Sequence, residues 1–218
     1  MYYTFTILAN GTYELTGYTG SNTTILIPSI YLGKAVTSIG YGAFYWKNEI
    51  TSVTIPSSVI SIGEKAFGNC SGLTSISIPY GVISIGNQAF FNCFNLTSVI
   101  IPSSVTLIDF GAFSHCTGLI NFAIPSSVIN IGEYAFDTCT GLTEIIIPSS
   151  VISIGRHAFN QCTGLQSIMI PSSVINIGAN AFFNCNSLTI NAAAESQSSG
   201  WEYGWNSTGC PVVWGYVV

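Results

Sequence analysis

The stretch Leu73-Thr74-Ser75-Ile76-Ser77-Ile78-Pro79, continued by Val82, Ile85-Gly86, Ala89-Phe90 and Cys93, decides the fold of this 218-residue chain because it recurs. An Ala-Phe pair returns at Ala43-Phe44, Ala66-Phe67, Ala89-Phe90, Ala112-Phe113, Ala135-Phe136, Ala158-Phe159 and Ala181-Phe182, always 23 residues on. Cysteine keeps the same step at Cys70, Cys93, Cys116, Cys139, Cys162 and Cys185, as does proline from Pro56 to Pro171. Pro28 precedes Pro56 by 28, so the first unit carries five extra residues around Tyr31-Leu32-Gly33-Lys34-Ala35. A fixed period of this length marks a solenoid.

Within the unit, Ile76 and Ile78 alternate about Ser77, the pattern of a half-buried strand. Pro79 has no N–H to give a ladder and should end that strand. The rest of the unit must turn back with Val82, Ile85, Ala89, Phe90 and Cys93 inward. A unit this short cannot bury its own apolar face, but stacked copies share a continuous core. Strands are expected near residues 23–27, 50–55, 73–78, 96–101, 119–124, 142–147 and 165–170. An eighth near 188–192 should be degraded, because Asn191 falls in register with Ile76. The glycine column Gly40, Gly63, Gly86, Gly132, Gly155 and Gly178 is expected to carry a positive φ, with Asp109 as its mildly strained fourth-unit substitute.

The string L-x-x-L-x-L is the strand signature of leucine-rich repeats. Ile78-Pro79, Val82-Ile83-Ser84-Ile85-Gly86, Ala89-Phe90, Asn92-Cys93 and Leu96-Thr97-Ser98, repeated along the chain, resemble the BspA-like, type-5 leucine-rich repeats over about residues 25–190. Leu32 to Gly40 is similar to that family's entry repeat, and Cys210 to Gly215 to its closing segment. The expected fold class is mainly β: a right-handed leucine-rich-repeat solenoid of 23-residue coils, with a parallel sheet on the concave side and short turns or helical turns on the convex side. Three segments are expected: an N-terminal β-hairpin cap (1–22), about seven solenoid repeats (23–190) and a C-terminal aromatic cap (191–218). The resemblance implies surface or secreted proteins of bacteria and some protists, several of them adhesins. It implies neither one ligand nor any catalytic residue, and it favours an extracellular or cell-surface location.

Composition narrows the function classes. Charged residues make up 6% and the formal net charge is −5. No basic run exists, which argues against a nucleic-acid groove or an anionic-membrane patch. Mean hydropathy is +0.52, yet apolar runs such as Ile145-Ile146-Ile147 fall far short of the roughly 18 residues that span a bilayer. Met1-Tyr2-Tyr3-Thr4 shows no basic n-region and no apolar h-region. Either the chain is trimmed or internal, or its export does not use that route.

At the N-terminus, Tyr3, Phe5 and Ile7 alternate, as do Tyr13 and Leu15, about Asn10-Gly11. That dipeptide favours a type I′ hairpin turn. At the C-terminus, Trp201, Tyr203, Trp205, Trp214 and Tyr216 read as a cap, with an aromatic carbohydrate platform as the alternative.

The stacked cysteines read as a buried free-thiol ladder, because parallel inward Cβ vectors suit a disulfide poorly. A metal is not expected without a C-x-x-C pair or a nearby His. Cys210 breaks the period, and a bond from it to Cys185 stays open. His115 and His157 lie in different columns nearly two units apart and read as surface histidines. No cofactor motif is present. Sequons at Asn10, Asn22, Asn69, Asn95 and Asn206 matter only in a secreted eukaryotic chain.

Function should therefore sit on the solvent face of the parallel sheet, where two columns point outward. The first runs Ser52, Ser75, Ser98, Asn121, Glu144, Ser167. The second runs Thr54, Ser77, Ile100, Ala123, Ile146, Met169 and turns apolar midway. An exposed apolar stripe marks an interface; simple β-propensity, or cover by the C-terminal segment, would also account for it. The partner-binding residues read this way are Ile100, Asn121, Ala123, Glu144, Ile146 and Met169. The expected partner is another protein or a copy of this chain; carbohydrate stays open as an alternative without further support in the sequence. Self-assembly into a filament or surface layer is the rival reading. Catalysis is not expected, since the acids are scattered rather than paired.

Overall fold

The structure, a computed structural model, describes residues 2–216. Among these there is no helix; each coil is built from short strands and turns. The strands in chain order are β1 (Tyr3–Ile7), β2 (Tyr13–Tyr18), β3 (Thr24–Leu26), β4 (Ile30–Tyr31), β5 (Lys34–Ile39), β6 (Ser52–Thr54), β7 (Ser61–Ile62), β8 (Ser75–Ser77), β9 (Ser84–Ile85) and β10 (Ser98–Ile100). They continue as β11 (Leu107–Ile108), β12 (Asn121–Ala123), β13 (Asn130–Ile131), β14 (Glu144–Ile146), β15 (Ser153–Ile154), β16 (Ser167–Ile170), β17 (Asn176–Ile177), β18 (Thr189–Ala192) and β19 (Val212–Trp214).

Each coil contributes one strand to a main parallel face, in the order β3, β6, β8, β10 and then β12, β14, β16, β18, β19. Pairing is in register at steps of 23, as in Ser75 opposite Ser98 and Asn121 opposite Glu144. In the three-residue strands β3, β6, β8, β10, β12 and β14 the middle residue is buried and its two neighbours are exposed. A second parallel ladder, β5-β7-β9 and β11-β13-β15-β17, runs along the V-I-x-I-G segment. The sequence reading had placed only turns or helical turns there. The two-residue strands are short because the corner with the Ala-Phe pair follows at once.

The core is a set of one-residue-wide columns. Phe44, Phe67, Phe90, Phe113, Phe136, Phe159 and Phe182 stack nearly parallel, at 5.1–5.8 Å between ring centroids. Beside them the six periodic cysteines are free and buried. Each thiol donates to the carbonyl oxygen of the phenylalanine one coil back, as Cys139 Sγ does to Phe113 O at 3.1 Å. Burial pushes the thiols up, Cys70 and Cys185 to about 12 and the four between them well above 9. Desolvation of the thiolate is the cause.

The glycine column is corrected. None of Gly40, Gly63, Gly86, Gly132, Gly155 and Gly178 has a positive φ, and neither does Asp109. Left-handed residues lie instead immediately before the Ala-Phe pair (Gly42, Lys65, Gln88, Gly111, Tyr134, His157, Asn180) and two after the phenylalanine (Trp46, Asn69, Asn92, His115, Thr138, Gln161, Asn184). The glycines serve close approach between coils. A Cβ on Gly155 would lie 2.5 Å from Glu133 N and 2.6 Å from Gly132 C. Asp109 puts a Cβ into that column, and next to it β9 and β11 are not paired. The Asp109 carboxylate is held by its neighbour's N–H, Phe110 N at 2.7 Å. The Asn87 amide, turned to donate, also reaches it at 2.9 and 3.0 Å.

The eighth strand is also corrected. It is regular, because the unit lost one residue after Leu188. β18 therefore pairs Thr189 with Ser167, Ile190 with Ile168 and Asn191 with Met169. Ile190 fills the core column and Asn191 faces out. The C-terminal segment adds a ninth strand, β19. Cys210 joins the thiol column, its Sγ 3.4 Å from Cys185 O and unbonded to another sulfur. Trp201 and Trp205 close the core, with Trp205 edge-on to Phe182 at 6.1 Å. Two of the five C-terminal aromatics are thus buried in packing rather than presented as a platform.

At the other end β1 and β2 form the hairpin and β2 pairs with β5. Leu15 and Tyr18 lie over the first coil, Tyr18 against Phe44 at 5.7 Å. The turn is not type I′: Gly11 alone has positive φ, and Gly11 N bonds Leu8 O at 2.8 Å. Such a turn ends in a left-handed glycine. The I′ geometry appears instead in the five-residue insertion, at Leu32 (φ 47) and Gly33 (φ 78) between β4 and β5. There Tyr31 stacks on Phe5 at 4.1 Å.

Candidate functional site

The outward columns of the main face fall where the alternation puts them. Ile100, Asn121, Ala123, Glu144 and Ile146 are exposed, and Met169 is half-buried. Ile100 and Ile146 stand 66% and 62% exposed, so the described C-terminal segment does not cover them. Tyr216 does reach the end of the stripe, where it shares a 250 Å³ hollow with Glu144, Ile146, Met169 and Asn191. The same column also carries Leu26 and Val213 at its two ends, set apart from the apolar stretch by Thr54 and Ser77 on one side and Asn191 on the other. Ile120, also exposed, flanks it from the preceding position.

The main sheet is interrupted within this stripe. Among the described residues no ladder joins β10 to β12, although every other neighbouring pair on this face is bonded. Phe122 is the physical reason. It occupies the inward column held elsewhere by Val53, Ile76, Val99, Ile145 and Ile168. Its larger ring wedges edge-on against Phe113 at 4.9 Å and Phe136 at 4.8 Å. There the phenylalanine stack reaches its widest spacing, 5.8 Å, and its largest tilt, 14°. The result is a cleft of about 510 Å³ floored by the buried Val99, Phe122, Ile124 and Ile145, with the exposed Ser98, Asn121, Ala123, Glu144 and Ile146 at its rim. That size lies in the usual range for a ligand pocket.

Sequence reasoning missed a second apolar stripe. Ile60, Ile83, Ile129, Ile152 and Ile175 recur at one position and stand exposed along the outer side of the second ladder. The signal in the V-I-x-I-G string is only the recurrence of the first isoleucine, since it and the next residue both face outward between the buried valine and the buried second isoleucine. It could be read only once that segment was known to be a strand.

The histidines are half-buried rather than surface groups. His157 stacks on Tyr134 at 4.8 Å, and its Nδ1 has no partner. His115 meets Ser114 Oγ at 2.8 Å and lies 3.7 Å from Asp137 Oδ2, while Ser114 Oγ donates to Asp137 at 3.3 Å. These three residue types suggest a nucleophile triad, but both partners crowd the same nitrogen, Nδ1. A triad needs serine on one ring nitrogen and the acid on the other. Asp137 is also held by Asn160 Nδ2 at 2.6 Å, which makes the group a polar staple between coils. Among the described residues no three His, Cys, Asp or Glu side chains converge as a metal would need. No described helix is long and apolar enough to cross a membrane. Asn69 is buried and accepts from Asn92 Nδ2 at 2.8 Å, so its sequon is not accessible.

The repeat, the columns and the parallel main sheet define a β-solenoid of the leucine-rich-repeat class. A family model described as BspA type leucine rich repeat region matches residues 37–162 and 130–200, and the chain belongs to that family. The chain is 39% identical to a leucine rich cell surface protein from Faecalibacterium prausnitzii A2-165, with a TM-score of 0.80 over 89% of this chain. It spans about half, 54%, of that protein's length. It is 30% identical to a Treponema pallidum leucine rich repeat protein, with a TM-score of 0.82, covering 86% of this chain and 88% of that one. A leucine-rich repeat protein from Bacteroides ovatus is 28% identical, with a TM-score of 0.60 over 100% of this chain and 70% of its own. No curated protein matches the chain. The family consists typically of interaction modules and is generally non-enzymatic.

Proposed function

We propose that this chain is a non-catalytic protein-interaction or adhesion module that binds through its main parallel sheet, at Ile100, Asn121, Ala123, Glu144, Ile146 and Met169. The observation that carries the reading is the apolar stripe left exposed on a sheet whose other outward residues are Ser, Thr and Asn with the single carboxylate of Glu144. Exposed apolar side chains at the centre of a polar face are the composition of a binding patch. A solenoid presents such a face as one continuous surface. The cell-surface description of the Faecalibacterium protein supports an extracellular setting. Ile146→Asp combined with Met169→Asp is expected to reduce binding to an intact partner cell or protein by at least a hundredfold, with an unchanged circular dichroism spectrum. Unchanged binding by the folded double variant would remove this surface from consideration.

The isoleucine stripe on the second ladder favours a second reading, association of the chain with its own copies. Light scattering from the purified protein tests it. Association that grows with concentration and is lost in Ile83→Lys, Ile152→Lys supports the reading. A monomer over a hundredfold concentration range overturns it.

A further inference from the structure

The cleft between β10 and β12 has a chemistry of its own. Its floor is apolar, and the few polar groups lie at its rim. Glu144 is the one charged side chain in the two outward columns, and among the described residues no cation lies within 4 Å of it. Ile146 lines the cleft beside it, and Ile100 and Ile120 stand exposed on the two preceding coils. Strands β10 and β12 also leave their facing N–H and C=O groups without a ladder partner. A lone carboxylate beside an apolar slot complements a side chain with an aliphatic stem and a cationic head, which lays the stem on the floor and carries the head to the rim. Arginine matches best, because its planar fork can take both carboxylate oxygens while further N–H groups meet the Asn121 amide and Ser98 hydroxyl.

From this geometry we infer that the cleft receives an arginine side chain, flanked by apolar residues, from an extended segment of a protein partner. The inference rests on the sheet-face reading above and deepens it. It also assigns Phe122 a role: its bulk holds the cleft open. Replacing it by the residue that fills the same column in neighbouring coils, Phe122→Ile, should let β10 and β12 pair and close the cleft without changing its rim.

The probe is the peptide acetyl-Thr-Ile-Arg-Ile-Thr-amide, with Gln and Glu in the central place as comparisons, titrated into isotope-labelled protein. Amide chemical shifts are the readout. The arginine peptide is expected to move the signals of Asn121, Phe122, Ala123 and Ile146, and the glutamate peptide to leave them in place. Glu144→Gln should weaken the arginine peptide at least threefold and bring it level with the glutamine peptide. Phe122→Ile should abolish the shifts while keeping the wild-type dispersion of the remaining spectrum. Equal binding of arginine and glutamate peptides, shifts confined to other surfaces, or an unchanged affinity in Glu144→Gln would overturn the inference. The Glu144 comparison stands whether or not Phe122→Ile folds. Failure here with loss of partner binding in the Ile146, Met169 double variant rejects only the arginine chemistry. Retained partner binding in that double variant rejects the sheet-face reading itself.

Discussion

Replacing Phe113 by alanine is expected to cost about 3–5 kcal/mol and to split a single unfolding transition into two. The magnitude is that of removing a fully buried aromatic from a packed core. Phe113 is 0% exposed and touches three rings: Phe90 at 5.3 Å, Phe136 at 5.8 Å and Phe122 at 4.9 Å. The splitting follows from its place. Solenoids are coupled only between neighbouring coils. Across the coils that β10 and β12 begin, the main-sheet ladder is missing. Coupling there rests on the second ladder, where β11 pairs with β13, on corner bonds such as Phe113 N to Ala135 O, and on the stacked core columns. Removing the ring takes a stacked aromatic out of a joint that already lacks one of its two ladders. Phe67→Ala, where both ladders are intact, should cost a similar amount yet unfold in one step. Urea unfolding followed by circular dichroism checks both. A loss under about 1 kcal/mol, or identical single transitions in the two variants, would contradict the account.

Alkali should unfold the protein cooperatively between about pH 10 and 11. The periodic thiols all have raised pKa values in the folded state, for the common reason that their thiolates would sit in an apolar column. An unfolded thiol ionises near 9. Below that value both states hold the proton, and the contribution to stability is complete. Above it the unfolded chain releases protons that the folded chain keeps, so stability falls as pH rises from 9 toward the folded values near 12. Each thiol shifts the equilibrium up to about tenfold per pH unit, and six together approach about 8 kcal/mol per unit. A net stability on the order of 5–15 kcal/mol is exhausted within one to two such units. Thiolate absorbance and loss of the β signal should therefore rise together. Thiolates that form near pH 9 with the fold intact would refute the buried ladder. In Cys116→Ala, Cys139→Ala the pH dependence should be shallower by about a third, whatever the baseline stability.

Much of this was legible in the period alone. An identical residue every 23 positions must occupy an identical environment, which assigns Phe90, Cys93 and Ile76 to the core and Ser77 to solvent. Misreadings arose where one column admits two physical explanations. Glycine in the Gly86 column was read as a left-handed corner, whereas its role is inter-coil contact; both remove a Cβ, and only the distances tell them apart. Asn191 looked like a defect because register counted from Ile76 cannot see a deleted residue. Backbone pairing found it by placing Ile190 opposite Ile168.

The sequence by itself determined the coil, its inward columns and the outward stripe through Ile100, Ala123, Ile146 and Met169, because a local alternation fixes which side of a strand each residue takes. Tertiary structure alone decided what that stripe surrounds. Phe122 reads as one more apolar residue in an apolar column. Its consequence, an opened joint with Glu144 at the lip, depends on how a larger ring packs against Phe113 and Phe136 in neighbouring coils. Such contacts lie a full repeat apart in the chain and carry no local signature.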